Sequence, residues 1–183
     1  MKTDITALLQ RAKDGHQESI GDVYALLHAE LAQIARARLR GGRNQTLNTV
    51  ALVNESYVKL VEQQHLDVEG RAHFLALASR AMRHILIDHF RRKTSAKRGA
   101  LAPQITLHEQ RLSADEPGEA LLELDEALTR LQQHDPRLAQ VVECRFFGGM
   151  DYDEIGASLG LAARTVRLDW RKAKAWLSLE LSK

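Results

Sequence analysis

The sequence predicts an all-α protein of two small helical domains joined by a flexible linker. Apolar residues recur at spacings of three and four in nearly every periodic segment, the signature of helices with one buried face. No segment alternates apolar and polar residues as a half-buried strand would. One central stretch loses its periodicity and gathers Lys, Ser, Gly and Pro, marking a linker. The division places a first domain at 1–95, the linker at 96–118 and a second domain at 119–183.

The first long helix carries Ile20, Val23, Tyr24, Leu27, Leu31 and Ile34 on one face and ends at Gly41-Gly42. A second, from about Val50 to Val61, turns Leu52, Val53, Tyr57, Leu60 and Val61 inward, and the polar stretch Glu62 to Gly70 is a loop. A third, from about Ala72 to Arg92, places Phe74, Leu77, Ala78, Ala81, Ile85 and Phe90 on one side and arginines on the other. Periodicity lapses from about Thr94 to Gly118, where Pro103 and Pro117 fall, and resumes with Leu121, Leu122, Leu124, Leu128 and Leu131. Asp135-Pro136 opens a further helix, with Asp as cap and Pro at its first position. That helix runs through Val141, Val142 and Phe146 and stops at Gly148-Gly149.

Composition narrows the class. Hydrophobic residues make up 44% and charged residues 27%, the balance of a globular protein rather than a disordered one. No apolar run approaches the roughly 18 residues of a membrane span, and the charged, amphipathic N-terminus lacks a signal peptide's apolar core. A cytoplasmic protein with no membrane contact is expected. The one cysteine, Cys144, sits among Val141, Val142 and Phe146 and reads as a buried thiol.

Net charge is only +2, but its distribution is uneven. From Arg71 to Arg98 the basic residues Arg71, Arg80, Arg83, Arg91, Arg92, Lys93, Lys97 and Arg98 are opposed by Asp88 alone. A second basic set holds Arg164, Arg167, Arg171, Lys172 and Lys174. Between them lies an acidic stretch with Asp115, Glu116, Glu119, Glu123, Asp125 and Glu126. Two basic faces either side of an acidic spacer indicate two contacts with a polyanion; taken singly, either is explained by a solvated helix face.

The segment Asp151 to Arg167 fits a helix-turn-helix. Asp151 or Asp153 caps a short helix with Ile155 and Leu159 inward, Gly160 supplies the left-handed turn, and Leu161 plugs the corner. The second helix starts near Ala163, buries Val166, and presents Arg164, Thr165, Arg167, Arg171 and Lys174 outward, with Lys172 beside them. Such a helix fits the major groove, arginines pairing with guanine and further cations holding phosphates. The plainer alternative is a helical hairpin with a basic face.

The run Arg145-Phe-Phe-Gly-Gly-Met-Asp-Tyr-Asp-Glu-Ile-Gly-Ala-Ser-Leu-Gly-Leu, followed by Arg164-Thr-Val-Arg, resembles the minus-35 reading domain of bacterial extracytoplasmic-function (ECF) sigma factors of the sigma-70 family. Ala51-Leu-Val-Asn-Glu-Ser-Tyr-Val-Lys-Leu resembles that family's polymerase-clamp helix. Phe74 through Asp88-His-Phe-Arg-Arg resembles its minus-10 helix. The resemblance spans roughly residues 5 to 180, with the motifs in order. It implies a sigma region two-like domain followed by a region four-like domain, in a factor that binds core RNA polymerase and directs it to particular promoters. It further implies that Arg80, Arg83, His84, Arg91 and Arg92 lie along the minus-10 element, although the family often has asparagine in place of His84. It places Asn48, Thr49, Leu52, Val53, Glu55 and Ser56 against the polymerase clamp, and allows for an anti-sigma partner. At Asp169 the family often carries a basic residue; this carboxylate is expected to accept from a cytosine amino group or to pair with Arg171 or Lys172.

One departure stands out. The family's clamp helix normally begins with an acidic run, and the aligned positions here are Asn48-Thr49-Val50-Ala51, without a carboxylate. Two expectations compete. Either other contacts, with the retained Glu55, suffice, or a Ser/Thr kinase phosphorylates Thr49 and restores charge near a helix N-terminus. Thr46 and Ser56 are alternative acceptors, Ser56 the poorer because it lies inside the helix.

No enzyme is expected. The eight histidines are scattered, and His84 and His89, at a spacing of five, do not align as two metal ligands. Gly41-Gly42 lacks the Gly-Lys-Ser/Thr of a phosphate loop, and there is no Gly-x-Ser-x-Gly elbow, so neither cofactor nor metal is called for. The main alternative is a helix-turn-helix regulator that dimerises on paired half-sites, which has no use for the basic surface of Phe74–Arg92. A purely structural bundle explains the helices but not two basic faces.

Overall fold

The computed structural model describes residues 7–8, 10–11, 14–16, 18–39, 54–55, 58, 70–97 and 117–182. Among them there is no strand, and the all-α expectation holds. In chain order come α1 (Glu18–Leu39), α2 (Arg71–Lys97), α3 (Pro117–His134), α4 (Pro136–Val142), a π-helical turn (Glu143–Phe147), α5 (Tyr152–Leu159) and α6 (Ala163–Glu180).

Local chemistry fixes most boundaries after α3. Asp135 is extended and its carboxylate accepts from Leu138 N, with Pro136 at the first helical position. Asp151 and Glu154 form a reciprocal capping box: Glu154 N donates to Asp151 Oδ1 (2.8 Å) and Asp151 N to Glu154 Oε2 (3.0 Å). Gly160 ends α5 at φ 67°, ψ 34°, and Leu161 N then donates to Gly156 O at 2.9 Å. Gly156 must be small, because a Cβ there would lie 2.5 Å from Leu161 O.

Two features were not foreseen. The helix opened by Asp135 does not run unbroken through Phe146; after Val142 it widens into the π-helical turn, from whose Cys144 carbonyl the N–H groups of Gly148 and Met150 take their bonds. And α2 is buried on two flanks. Phe74, Ala78, Ala81 and Ile85 are covered as expected, but so are Leu75, Met82, Leu86 and Ile87. A helix apolar on both sides needs two partners. The second flank of α2 packs against α3, the π-turn and α5. A Cβ on Gly148 would stand 1.9 Å from Ser79 Oγ, so the π-turn approaches α2 where only hydrogen fits. Phe90 lies on this flank too, its ring filling the space above Gly118.

Buried side chains run without a break from Val23 of α1 through α2 to Leu177 of α6. The expected linker is encroached on from both ends, by α2 to Lys97 and by α3 from Pro117; 98–116 lie outside the described residues.

Candidate nucleic-acid interface

Two basic surfaces were expected to meet DNA, and the structure treats them differently. On α6, Val166, Asp169, Ala173 and Leu177 are buried and set the inner face. Arg164, Arg167, Arg171, Lys172 and Lys174 are exposed, and Thr165 is half-buried. The helix is held firmly beneath these cations. The Arg130–Glu180 ion pair (3.0 Å) ties its last turn to α3. Arg167 stacks 5.2 Å above the Tyr152 ring, which Arg145 also approaches at 4.6 Å, and Lys174 lies 5.8 Å from the Trp170 ring. Asp169 faces away from this surface. It is 1% exposed and pairs with Arg137 of α4 (2.8 Å), rather than with Arg171, Lys172 or a base.

Arg71, Arg80, Arg83 and Arg91 of α2 are engaged by acids. Arg83 is 6% exposed: its Nε donates to Asp125 Oδ1 (2.8 Å), and its other nitrogens reach Glu143 Oε1, the Asp125 carbonyl and Thr129 Oγ1 (3.3, 3.3 and 3.4 Å). Arg91 donates to the second Asp125 oxygen (3.0 Å), and Arg80 lies 3.6 Å from Glu143. Arg71 pairs with Glu154, the capping residue of α5. His84 and Arg92 are exposed, Arg92 donating to its own helix at the Asp88 carbonyl (3.2 Å). A cleft of about 390 Å³ between α2 and the α3–α4 pair is lined by Arg80, Arg83, His84 and Arg91 on one side and by Asp125 and Glu143 on the other. The acidic spacer of the sequence is therefore, at Asp125, a partner of the first basic set. Asp125, Glu143 and Glu154 went unnamed as site residues because their partners are distant in sequence.

Of the expected clamp-facing residues, Glu55 is helical and half-buried. Asn54, beside it, accepts a hydrogen bond from the Tyr24 hydroxyl (3.2 Å), tying this segment to α1. Asn48, Thr49, Leu52, Val53 and Ser56 lie outside the described residues.

Cys144 is 3% exposed, and burial, aided by neighbouring Glu143, pushes its thiol from 9.0 up to about 12. It is a packing residue, not a nucleophile. Among the described residues no group of His, Cys, Asp or Glu is placed to hold a metal ion, and no helix is long and apolar enough to cross a membrane.

The chain thus carries a helix pair with a cationic outer face on α6 and a long helix, α2, with a second basic set. The family model described as ECF sigma factor matches residues 2–183. The chain belongs to the ECF sigma factor family. A search of curated proteins finds none that matches it. Membership assigns the chain to transcription initiation as a sigma factor, with core RNA polymerase and promoter DNA as its partners, and it sets aside the stand-alone dimeric repressor. In this sigma factor, surfaces far apart in sequence, α2 and the α3–α5 region, are closed on each other.

Proposed function

We propose that the chain docks on the polymerase clamp through 48–56, reads the minus-35 element with α6 as the second helix of a helix-turn-helix, and serves the minus-10 element with Arg80, Arg83, His84, Arg91 and Arg92 of α2. The observation that carries the reading is the division of α6: an inner face of Val166, Ala173 and Leu177, and an outer face whose arginines stand free of acidic partners among the described residues. Its N-terminal half presents Arg164, Arg167 and Arg171, the part of a recognition helix that reaches base edges. Arg83 and Arg91 reach promoter phosphates only after Asp125 and Glu143 release them, so the closed arrangement opens when polymerase binds.

Docking on the clamp lacks the family's acidic run, and phosphorylation of Thr49 supplies that charge in this proposal. The test is a titration of core RNA polymerase with wild-type protein and Thr49→Glu, side by side. Tighter binding by Thr49→Glu is the expected result. Equal, tight binding removes the support for charge at Thr49 and leaves Glu55 and other contacts to do the docking. If neither protein binds, material isolated from the native cell and carrying its modifications is titrated next, and failure there overturns the docking role.

A further inference from the structure

We infer that Leu168 determines specificity in the DNA-reading face of α6, selecting thymine between the bases met by Arg164 and Arg171; the inference rests on the proposed role of α6. Leu168 is 48% exposed, one of few large apolar side chains left open among the described residues. Leu179 also lies on α6 but eight residues beyond Arg171, at the helix end, whereas Leu168 stands between the arginines. It follows Arg164 by four residues and precedes Arg171 by three, so it shares their stripe, opposite the buried Val166, Ala173 and Leu177. An exposed leucine inside a cationic stripe gains nothing from water or phosphate, and its burial is favourable only against apolar surface. On the base edges of the major groove the one such group is the C5 methyl of thymine.

The geometry sets the register. Seven residues of helix separate Arg164 from Arg171, a rise of about 10.5 Å, which matches roughly three base-pair steps. Arginine paired with guanine at either end leaves two base pairs between them, and Leu168, about 6 Å along the helix from Arg164, lies over the one nearer Arg171. The ends of the stripe are held by hydrogen bonds and its middle by contact with a methyl group. Such a site discriminates thymine from uracil, which no arginine of the stripe can do.

The test uses the full-length protein bound to core RNA polymerase. The complex selects duplexes from a pool randomised across both promoter elements, and each thymine of the enriched minus-35 element is then replaced by deoxyuridine, which removes only the methyl group. At one thymine, wild type is expected to lose roughly fourfold in affinity, the worth of one buried methyl-sized group. Leu168→Ala is expected to bind the thymine and deoxyuridine duplexes equally, with unchanged helix content by circular dichroism, since the side chain is not part of the core. The assignment falls if wild type ignores every replacement, or if Leu168→Ala keeps the same penalty. Arg164→Ala and Arg171→Ala separate the two levels. If they lose affinity while wild type ignores deoxyuridine, only the Leu168 assignment falls. If they select the same element with undiminished affinity, or if wild type enriches nothing, α6 is not the reader and both readings fall.

Discussion

Replacing Arg83 by alanine attacks the centre of the closed structure. Its guanidinium is the main counter-charge for two carboxylates that are each 7% exposed, Asp125 and Glu143, held at 2.8 and 3.3 Å. Removing one member of a buried ion pair strands its partner, at a cost of about 3–5 kcal/mol. Arg91, 3.0 Å from Asp125, and Arg80, 3.6 Å from Glu143, remain to screen them, but both are more than half exposed. They place the expected loss near the lower end, about 3 kcal/mol. Urea unfolding of the full chain measures it, followed by fluorescence of Trp170 and Trp176, both on α6, and by circular dichroism for the helices as a whole. Replacing the whole cluster, Arg83→Met with Asp125→Leu and Glu143→Gln, should recover most of the loss, because neither buried carboxylate is then left without its counter-charge. A loss below about 1 kcal/mol for Arg83→Ala, the worth of an exposed surface pair, would refute the reasoning. It would mean that α2 and the α3–α5 region do not stay packed together in solution.

Three further outcomes are expected. Neutralising both acids, Asp125→Asn with Glu143→Gln, should raise the free protein's affinity for non-specific duplex DNA and steepen its salt dependence by roughly one logarithmic unit per arginine released, read from anisotropy at several salt concentrations; an unchanged slope would show that α2 contributes no phosphate contacts. Gly160→Ala meets no atom within 4 Å, so its cost is that of placing a Cβ at φ 67°, about 1–2 kcal/mol, and a thermal melt showing no loss would contradict the turn described. Cys144 should resist alkylation at neutral pH in the folded protein. Because burial raises its thiol from 9.0 to about 12, the folded state keeps a proton that the unfolded state gives up. Its contribution to stability is complete below 9.0 and declines as pH rises toward 12, so unfolding midpoints should fall across that window, and Cys144→Ala should flatten the decline.

Much of residues 117–182 was legible in the sequence because its signals are local. Asp135 lies three residues from the amide it caps, Asp151 and Glu154 cap each other, and Gly160 announces its own backbone angle. The outer face of α6 followed from its helical spacing, and the burial of Cys144 from its apolar neighbours Val141, Val142 and Phe146. What stayed hidden depends on distance along the chain. Arg83 meets Asp125 and Glu143 across 42 and 60 residues, and Asp169 meets Arg137 across 32, so nothing in a helical window points from one to the other. The second flank of α2 is carried by Leu75, Met82 and Leu86, but a single apolar stripe already accounts for an amphipathic helix, so the sequence pattern does not demand a second partner. The π-turn left no local mark, since its residues suit an α-helix equally well. The resemblance placed the arginines of α2 at the promoter, and in the closed form their partners are carboxylates.

The most direct test of the sigma-factor account is transcription itself. Core RNA polymerase is incubated with fragments of genomic DNA from the host, with and without the purified full chain, and the 5′ ends of the RNA products are mapped. A sigma factor of this build gives new start sites that appear only with the chain, share a common upstream element, and disappear when Arg164 and Arg171 are both replaced by alanine. An identical set of start sites with and without the chain, using protein that binds core polymerase, would contradict this role.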